Sequence, residues 1–357
     1  MLVDSTVSQR NLVSEPFLSL MEINVNAQMT RRERLLAISN GEPTDRAAVA
    51  LWRHFPGDDQ RPADLAAATL TWQREYDWDF IKVSPASSFC LADWGVQTRW
   101  IGGDEGTRDY VNTVVKQPED WGRLPMLDPT AGILGGQLRC LELIRDAVGT
   151  DVPFIQTIFS PLAQARHLSG PDLLRVHLRR HPDLVHQGLE TITAGTIRFV
   201  RACLSLGIAG IYYAIQWASH RELSEAEYRE FGEPYDRRTL GVAAASDCWL
   251  NVLHLHGPDG MFDLAAQYPV QALNWHDRES GPTLAQGMTR FRGAVSGGLE
   301  HWEDLLRGDP AGIRARVADA IAKTAGRRLI VSSGCVAPVN APFSNLRAVR
   351  AAVEPKA

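Results

Sequence analysis

The sequence predicts a single α/β domain, a (β/α)8 TIM barrel with an insertion after the second strand. Three observations point there. Eight short β-branched or apolar runs alternate with helical patterns, no low-complexity linker interrupts them, and 357 residues suit one large α/β domain. Strands alternating with helices make a parallel sheet with right-handed crossovers, and eight such units in roughly 310 residues favour a closed barrel over an open sheet.

Residues 1–28 lack the charged and apolar regions of a signal peptide and are expected to form a flexible extension, with the barrel over 29–357. Met29 is an alternative start to Met1. Thr30 can cap a basic amphipathic helix in "TRRERLLAISN". The strand-like runs are AAVALWR (47–53), DFIKVS (79–84), VPFIQTIFS (152–160), AGIYYAIQ (209–216), WLNVLHLHG (249–257), PVQALNWHD (269–277), FRGAVSGGL (291–299) and RRLIVSSGCV (327–336). Helices are expected over 62–76, 181–207 and 309–326. Between the second and third strands, "DWGVQTRWIGGDEGTRDYVNTVV" reads as a hairpin excursion before a helix at 130–148. Long inserts after a barrel strand usually sit over the active site.

Bulk properties exclude several classes. A net charge of −5 and dispersed basic residues give no general attraction to nucleic acid or anionic membranes. No apolar run reaches the eighteen residues or so of a membrane span. Five scattered cysteines without a CxxC suit free thiols in a reducing compartment, so a cytoplasmic location is expected.

Catalytic groups of such barrels lie at the C-terminal ends of strands. Those ends carry Trp52, Arg53 and His54, then Lys82 with Ser84, Thr157 with Ser160, Gln216 with Trp217, His254 with His256, the run His276 to Glu279, and Cys335. His254 and His256 share one face of a strand, because side chains alternate with period two. They are either hydrogen-bonded core groups or two ligands awaiting a third. Cys335, ending the eighth strand, can reach across the mouth to complete a zinc site with one open position. His276 is a replacement ligand, a supporting group or a general base, and Asp277 its acid–base partner. Arg53 and Arg278 can capture a substrate carboxylate, with Trp52, His54, Gln216 and Trp217 beside them. An arginine paired to an internal acid and a helix capped at Asp277 or Ser280 are the structural alternatives. "GGDEGTR" (102–108) fits no phosphate-binding pattern and reads as a turn.

Three segments resemble a known family. "RRERLLAISNGEPTDRAAVALWR" (31–53) is similar to the opening of the uroporphyrinogen decarboxylase superfamily. "LHLHG" (253–257) resembles the LHxCG segment of its methyltransferase branch, which serves methanol-, methylamine- and chloromethane-type corrinoid systems. "SSGCVAPVNAPFSNLRAV" (332–349) resembles its closing segment. The resemblance implies zinc ligands at His254, His256 and Cys335, with His256 standing where that branch carries cysteine. One thiolate fewer leaves a more Lewis-acidic metal and a less nucleophilic bound thiolate. It also implies a corrinoid methyl donor on a partner protein and admits a homodimer. The decarboxylase branch uses no metal and binds its tetrapyrrole through an arginine-rich segment, a carboxylate near the second strand and a histidine near the eighth. Here Arg53 keeps one arginine, "IKVSP" lacks the acid, and Cys335 replaces the histidine.

The leading expectation is therefore a zinc-dependent methyltransferase-like enzyme activating a thiol or similar nucleophile on a small acidic substrate. The alternatives are a metal-independent decarboxylase of a tetrapyrrole or small carboxylic acid, and a non-catalytic carrier of a metal, corrinoid or tetrapyrrole.

Overall fold

The computed structural model describes Met1 and residues 28–354, so the expected extension lies almost wholly outside the described residues. Eight parallel strands form one curled sheet, the expected barrel. They are β1 (Ala48–Val49), β2 (Ile81–Val83), β3 (Phe154–Phe159), β4 (Gly210–Ile215), β5 (Val252–Leu255), β6 (Ala272–Trp275), β7 (Ala294–Leu299) and β8 (Leu329–Ser333). From β2 to β8 each strand pairs with its sequence neighbour, and β8 pairs back onto β1, with Ala48 opposite Ile330. Each expected run contains one strand. β1 is shorter than its run because only Ala50 continues the ladder, donating to the Val331 carbonyl at 3.0 Å. The chain then leaves the sheet, which brings Trp52 and His54 to the barrel mouth.

β1 and β2 share no ladder. Asp79 closes this seam: its N–H donates to the Val49 carbonyl at 2.9 Å and its Oδ2 accepts the Val49 N–H at 2.7 Å. The same carboxylate takes Arg34 and Arg46, each at 2.7 Å, and all three side chains are buried. Arg34 comes from the helix Arg31–Asn40, capped by Thr30 as expected, with Glu33 completing a capping box. Losing the acid would leave two buried guanidinium groups short of a partner.

Helices Pro62–Tyr76, Gly132–Val148, Pro182–Leu204 and Pro310–Thr324 fill the expected helical stretches. Three of them open on proline, whose missing N–H would have no partner in the first turn anyway. The insertion forms a two-stranded hairpin, Thr98–Arg99 against Asp109–Tyr110. Its tip folds over the barrel mouth, where the Asp104 carbonyl accepts the Val339 N–H at 2.7 Å and Asp104 Oδ1 accepts Asn340 Nδ2 at 3.0 Å. Gly106 in this tip has φ +72°, and a Cβ there would lie 2.8 Å from both His54 Cβ and Val339 Cγ1. So close an approach in a left-handed conformation requires glycine. All five cysteines are free. Among the described residues, no helix is long and apolar enough to cross a membrane.

Candidate active site at the barrel mouth

The polar interior of the barrel is organised by Asn274 on β6. Its Oδ1 accepts from the Tyr212 hydroxyl at 3.0 Å and from His254 Nδ1 at 2.6 Å. Its Nδ2 donates to the carbonyls of Ser296 at 2.9 Å and Ser333 at 3.0 Å. Two carbonyl acceptors leave only one orientation for the amide, so Asn274 presents its oxygen to His254. That fixes the proton of His254 on Nδ1 and leaves Nε2 with a free lone pair, the arrangement of a metal-ligating imidazole.

His254 Nε2 lies 3.3 Å from His256 Nδ1, and Cys335 Sγ lies 3.9 Å from the same nitrogen. His276 joins them, and the four donor atoms all fall within 4.8 Å of one another. Zn–N bonds of about 2.05 Å and Zn–S bonds of about 2.3 Å imply tetrahedral edges of roughly 3.3 Å between nitrogens and roughly 3.6 Å between nitrogen and sulfur. The donor set therefore fits a zinc-sized ion in chemistry and in spacing. His276 Nε2 is buried without a hydrogen-bond partner, as a ligand or proton acceptor without its counterpart would be.

The electrostatics favour a thiolate here. Burial pushes the Cys335 thiol up, but His254, His256 and His276 together hold it well below its usual range. Burial lowers His254 to about 4, so that imidazole stays neutral. His276 behaves oppositely. Burial works against its charge, yet Cys335 and Glu279 outweigh this and push it up to about 10. Glu279 Oε1 accepts from His276 Nδ1 at 3.1 Å and lies 3.4 Å from His301 Nδ1, and the two imidazoles hold its carboxyl well below the usual range. His301 opens a single π-helical turn, His301–Leu306, directly after β7. Such turns recur at functional sites.

A cavity of about 130 Å³ lies under the hairpin tip. His254, His256 and Cys335 form one wall, and Trp52, His54, Lys82, Tyr212 and Gln216 lie around the rest. Glu105 and Thr107 of the insertion close the top. Other residues singled out in the sequence do not meet this cavity. Arg53 donates to the Val339 carbonyl at 3.1 Å and lies over the rings of Phe55 and Trp72, lining a separate surface groove. The turn after β1 carries it outward, away from this cavity, and among the described residues it makes no ion pair with an acid. Arg278 is drawn to the Gly298 carbonyl and to Asp319, each at 2.9 Å. Trp217 is wholly buried beneath Arg175. Asp277 Oδ1 accepts the Gly298 N–H at 3.0 Å, and burial pushes its carboxyl up to about 6. The following helix is capped by Thr283, not by Asp277 or Ser280.

Lys82 and Glu279, noted in the sequence only as strand-end groups, also lie here, together with Asn274 and His301, which the sequence did not mark.

The family model described as "Uroporphyrinogen decarboxylase (URO-D)" matches residues 30–355. The uroporphyrinogen decarboxylase of Prochlorococcus marinus (strain MIT 9303) is 26% identical over 211 residues, 58% of this chain and 57% of that protein. That of Parasynechococcus marenigrum (strain WH8102) is 23% identical over 203 residues, 54% of this chain and 56% of that one. The matched stretch thus spans little more than half the length of these curated relatives. Among solved structures, a methyltransferase from Methanosarcina mazei superposes with a TM-score of 0.79 at 21% identity, covering 91% of this chain and 98% of that one. A B12-independent methionine synthase from Shewanella sp. W3-18-1 superposes with a TM-score of 0.57 at 10% identity, covering 85% and 96%. These structures share the fold. With its family model matched from the first helix to the last, the chain belongs to the uroporphyrinogen decarboxylase (URO-D) family.

Proposed function

We propose that this chain is a zinc-dependent, methyltransferase-like enzyme acting on a small acidic substrate that carries a thiol or similar nucleophile. The observation that carries the reading is the convergence of His254, His256, His276 and Cys335 within 4.8 Å, with His254 Nε2 left free by Asn274. The name of the Methanosarcina structure agrees with it. His254, His256 and Cys335 would hold the metal. Bound zinc lowers the pKa of a coordinated nucleophile and so supplies it in deprotonated form near neutral pH. His276, held by Glu279 and protonated at neutral pH, would set a positive charge beside the nucleophile and favour its deprotonated form. The methyl donor that fits "LHLHG" is a corrinoid carried on a partner protein. The hairpin tip over the cavity excludes water from the reacting groups.

Elemental analysis of the purified protein tests the reading. One zinc per chain is expected, lost in the His254→Ala/Cys335→Ala double variant together with methyl transfer. Protein that takes up no zinc, or a double variant with full activity, would overturn it.

A second reading, metal-independent decarboxylation of a small carboxylic acid, draws on the curated relatives and on the buried lysine facing the cavity. It requires carbon dioxide release that survives chelators. A tetrapyrrole is poorly served by about 130 Å³, well under the few hundred Å³ of drug-sized pockets.

A further inference from the structure

The insertion is held differently at its two ends. Its base is tied to the barrel. Ser88 and Thr98 share a hydroxyl hydrogen bond at 2.9 Å, the Arg108 N–H donates to Ser87 Oγ at 3.2 Å, and the Tyr110 ring stacks on His167 with centroids 4.3 Å apart. The Val111 N–H, donating to the Gln97 carbonyl at 2.8 Å, continues the hairpin ladder away from the tip. The tip, residues 100–107, is fastened otherwise. Trp100 and Ile101 are 41% and 65% exposed. The Trp100 indole donates to the Gly103 carbonyl at 3.3 Å and the Gly106 N–H to the same oxygen at 2.9 Å, so both bonds stay within the tip. Gly102 has φ +93°, and a Cβ at Gly102 or Gly103 would meet nothing within 4 Å. Polar groups hold the tip to the rim: Asp104 takes the Val339 N–H and Asn340 Nδ2, and Glu105 Oε1 lies 3.6 Å from His301 Nε2. Gly106 packs on His54 and Val339 with backbone alone. Water can replace such polar bonds at small net cost, whereas the packed base resists opening.

We infer that the tip of the insertion is a lid. Residues 100–107 swing as a unit away from Val339 and Asn340, about the anchored strands Thr98–Arg99 and Asp109–Tyr110, and the open form admits molecules to the His and Cys cluster. Barrel strands and the residues that follow them wall the cavity, and Glu105 and Thr107 cover it. At about 130 Å³ it holds few atoms, so exchange with solvent requires the cover to move. Closure then keeps water from the reacting groups. The lid governs access, and it serves any reaction at the cluster, with or without zinc.

Two readouts on the full-length protein test it. The Val339 amide donates to the tip, so its hydrogen exchange reports opening, while the Ala337 amide donates to the Trp52 carbonyl at 2.8 Å and serves as the reference. After correction for intrinsic rates, Val339 should exchange faster than Ala337 by about 10-fold or more. Cys335 is buried under the tip, and its alkylation by iodoacetamide, mapped by mass spectrometry in the presence of a chelator, reports access to the cavity. The half-buried Cys248 is the control. Asn340→Ala removes one fastening bond at an exposed residue. It should speed both Val339 exchange and Cys335 alkylation about 3- to 10-fold, the range of one hydrogen bond, and leave Ala337 and Cys248 unchanged. If the variant does not speed Cys335 alkylation, the tip is not the gate. If Val339 exchanges as slowly as Ala337, or the variant speeds both amides alike, the tip does not move on its own. Each of these results overturns the lid. Neither readout depends on zinc, so the lid stands or falls separately from the methyltransferase reading.

Discussion

Replacing Lys82 by methionine should make the metal-free protein more stable, because the native residue buries a charge with no carboxylate within ion-pair distance among the described residues. Burial brings its ammonium from the ordinary value of 10.5 down to about 7. At about 1.36 kcal/mol per pKa unit, the cost of keeping it charged in the fold approaches ~5 kcal/mol well below pH 7. Methionine has a similar length and no charge, but it abandons Ser84 Oγ, a loss of about 1 kcal/mol. A net gain of about 2–4 kcal/mol at pH 6 is expected. For a chain of 357 residues that is a rise in Tm of roughly 3–5 °C. The pH dependence gives the signature. Between pH 7 and 10.5 the unfolded chain holds the lysine proton and the folded chain does not, so parent stability rises with pH across that window. The advantage of Lys82→Met must therefore shrink toward pH 10. Urea denaturation at pH 6, 8 and 9.5, on protein stripped of metal, measures it. A variant less stable than the parent at pH 6, or an advantage that does not change with pH, would refute the premise that the Lys82 charge is buried at a net cost.

Four further outcomes are expected. Asp79→Asn should cost about 3–5 kcal/mol in urea denaturation, because Arg34 and Arg46 lose their shared buried acid at the β1–β2 seam. Asn274→Leu should lower zinc affinity by roughly 10- to 100-fold in competition with a chromogenic chelator, since nothing else holds the proton of His254 on Nδ1. His276→Gln should keep one zinc per chain and lower turnover, because the imidazolium beside the nucleophile is lost, with methyl transfer assayed across about pH 6 to 9; loss of zinc instead would make His276 a ligand. Gly106→Ala should strain the hairpin tip against His54 and Val339 and weaken binding in the cavity while zinc content is preserved, as titration and elemental analysis would report.

Much of this architecture is written in local chemistry. Periods of two and 3.6, with proline at helix starts, are short-range signals, and all eight strands and the long helices lie where those signals put them. The gathering of His254, His256, His276 and Cys335 was legible for the same reason. His254 and His256 sit on one strand face, and strand ends of a barrel converge, so Cys335 and His276 had only one place to meet them.

Direction at the mouth was not legible, because it depends on where each chain leaves its strand. Trp52, Arg53 and His54 are consecutive, yet Trp52 and His54 line the cavity while Arg53 faces an outer groove. Arg278 likewise follows two residues after His276 and is pulled away by Gly298 and Asp319. Lys82 looked like an ordinary strand-end polar group, since a sequence does not show that no acid will come near it. A residue's own identity and spacing thus establish its element and its face. Which charges meet which partners depends on every strand packed around it, as Arg53, Arg278 and Lys82 show in this barrel.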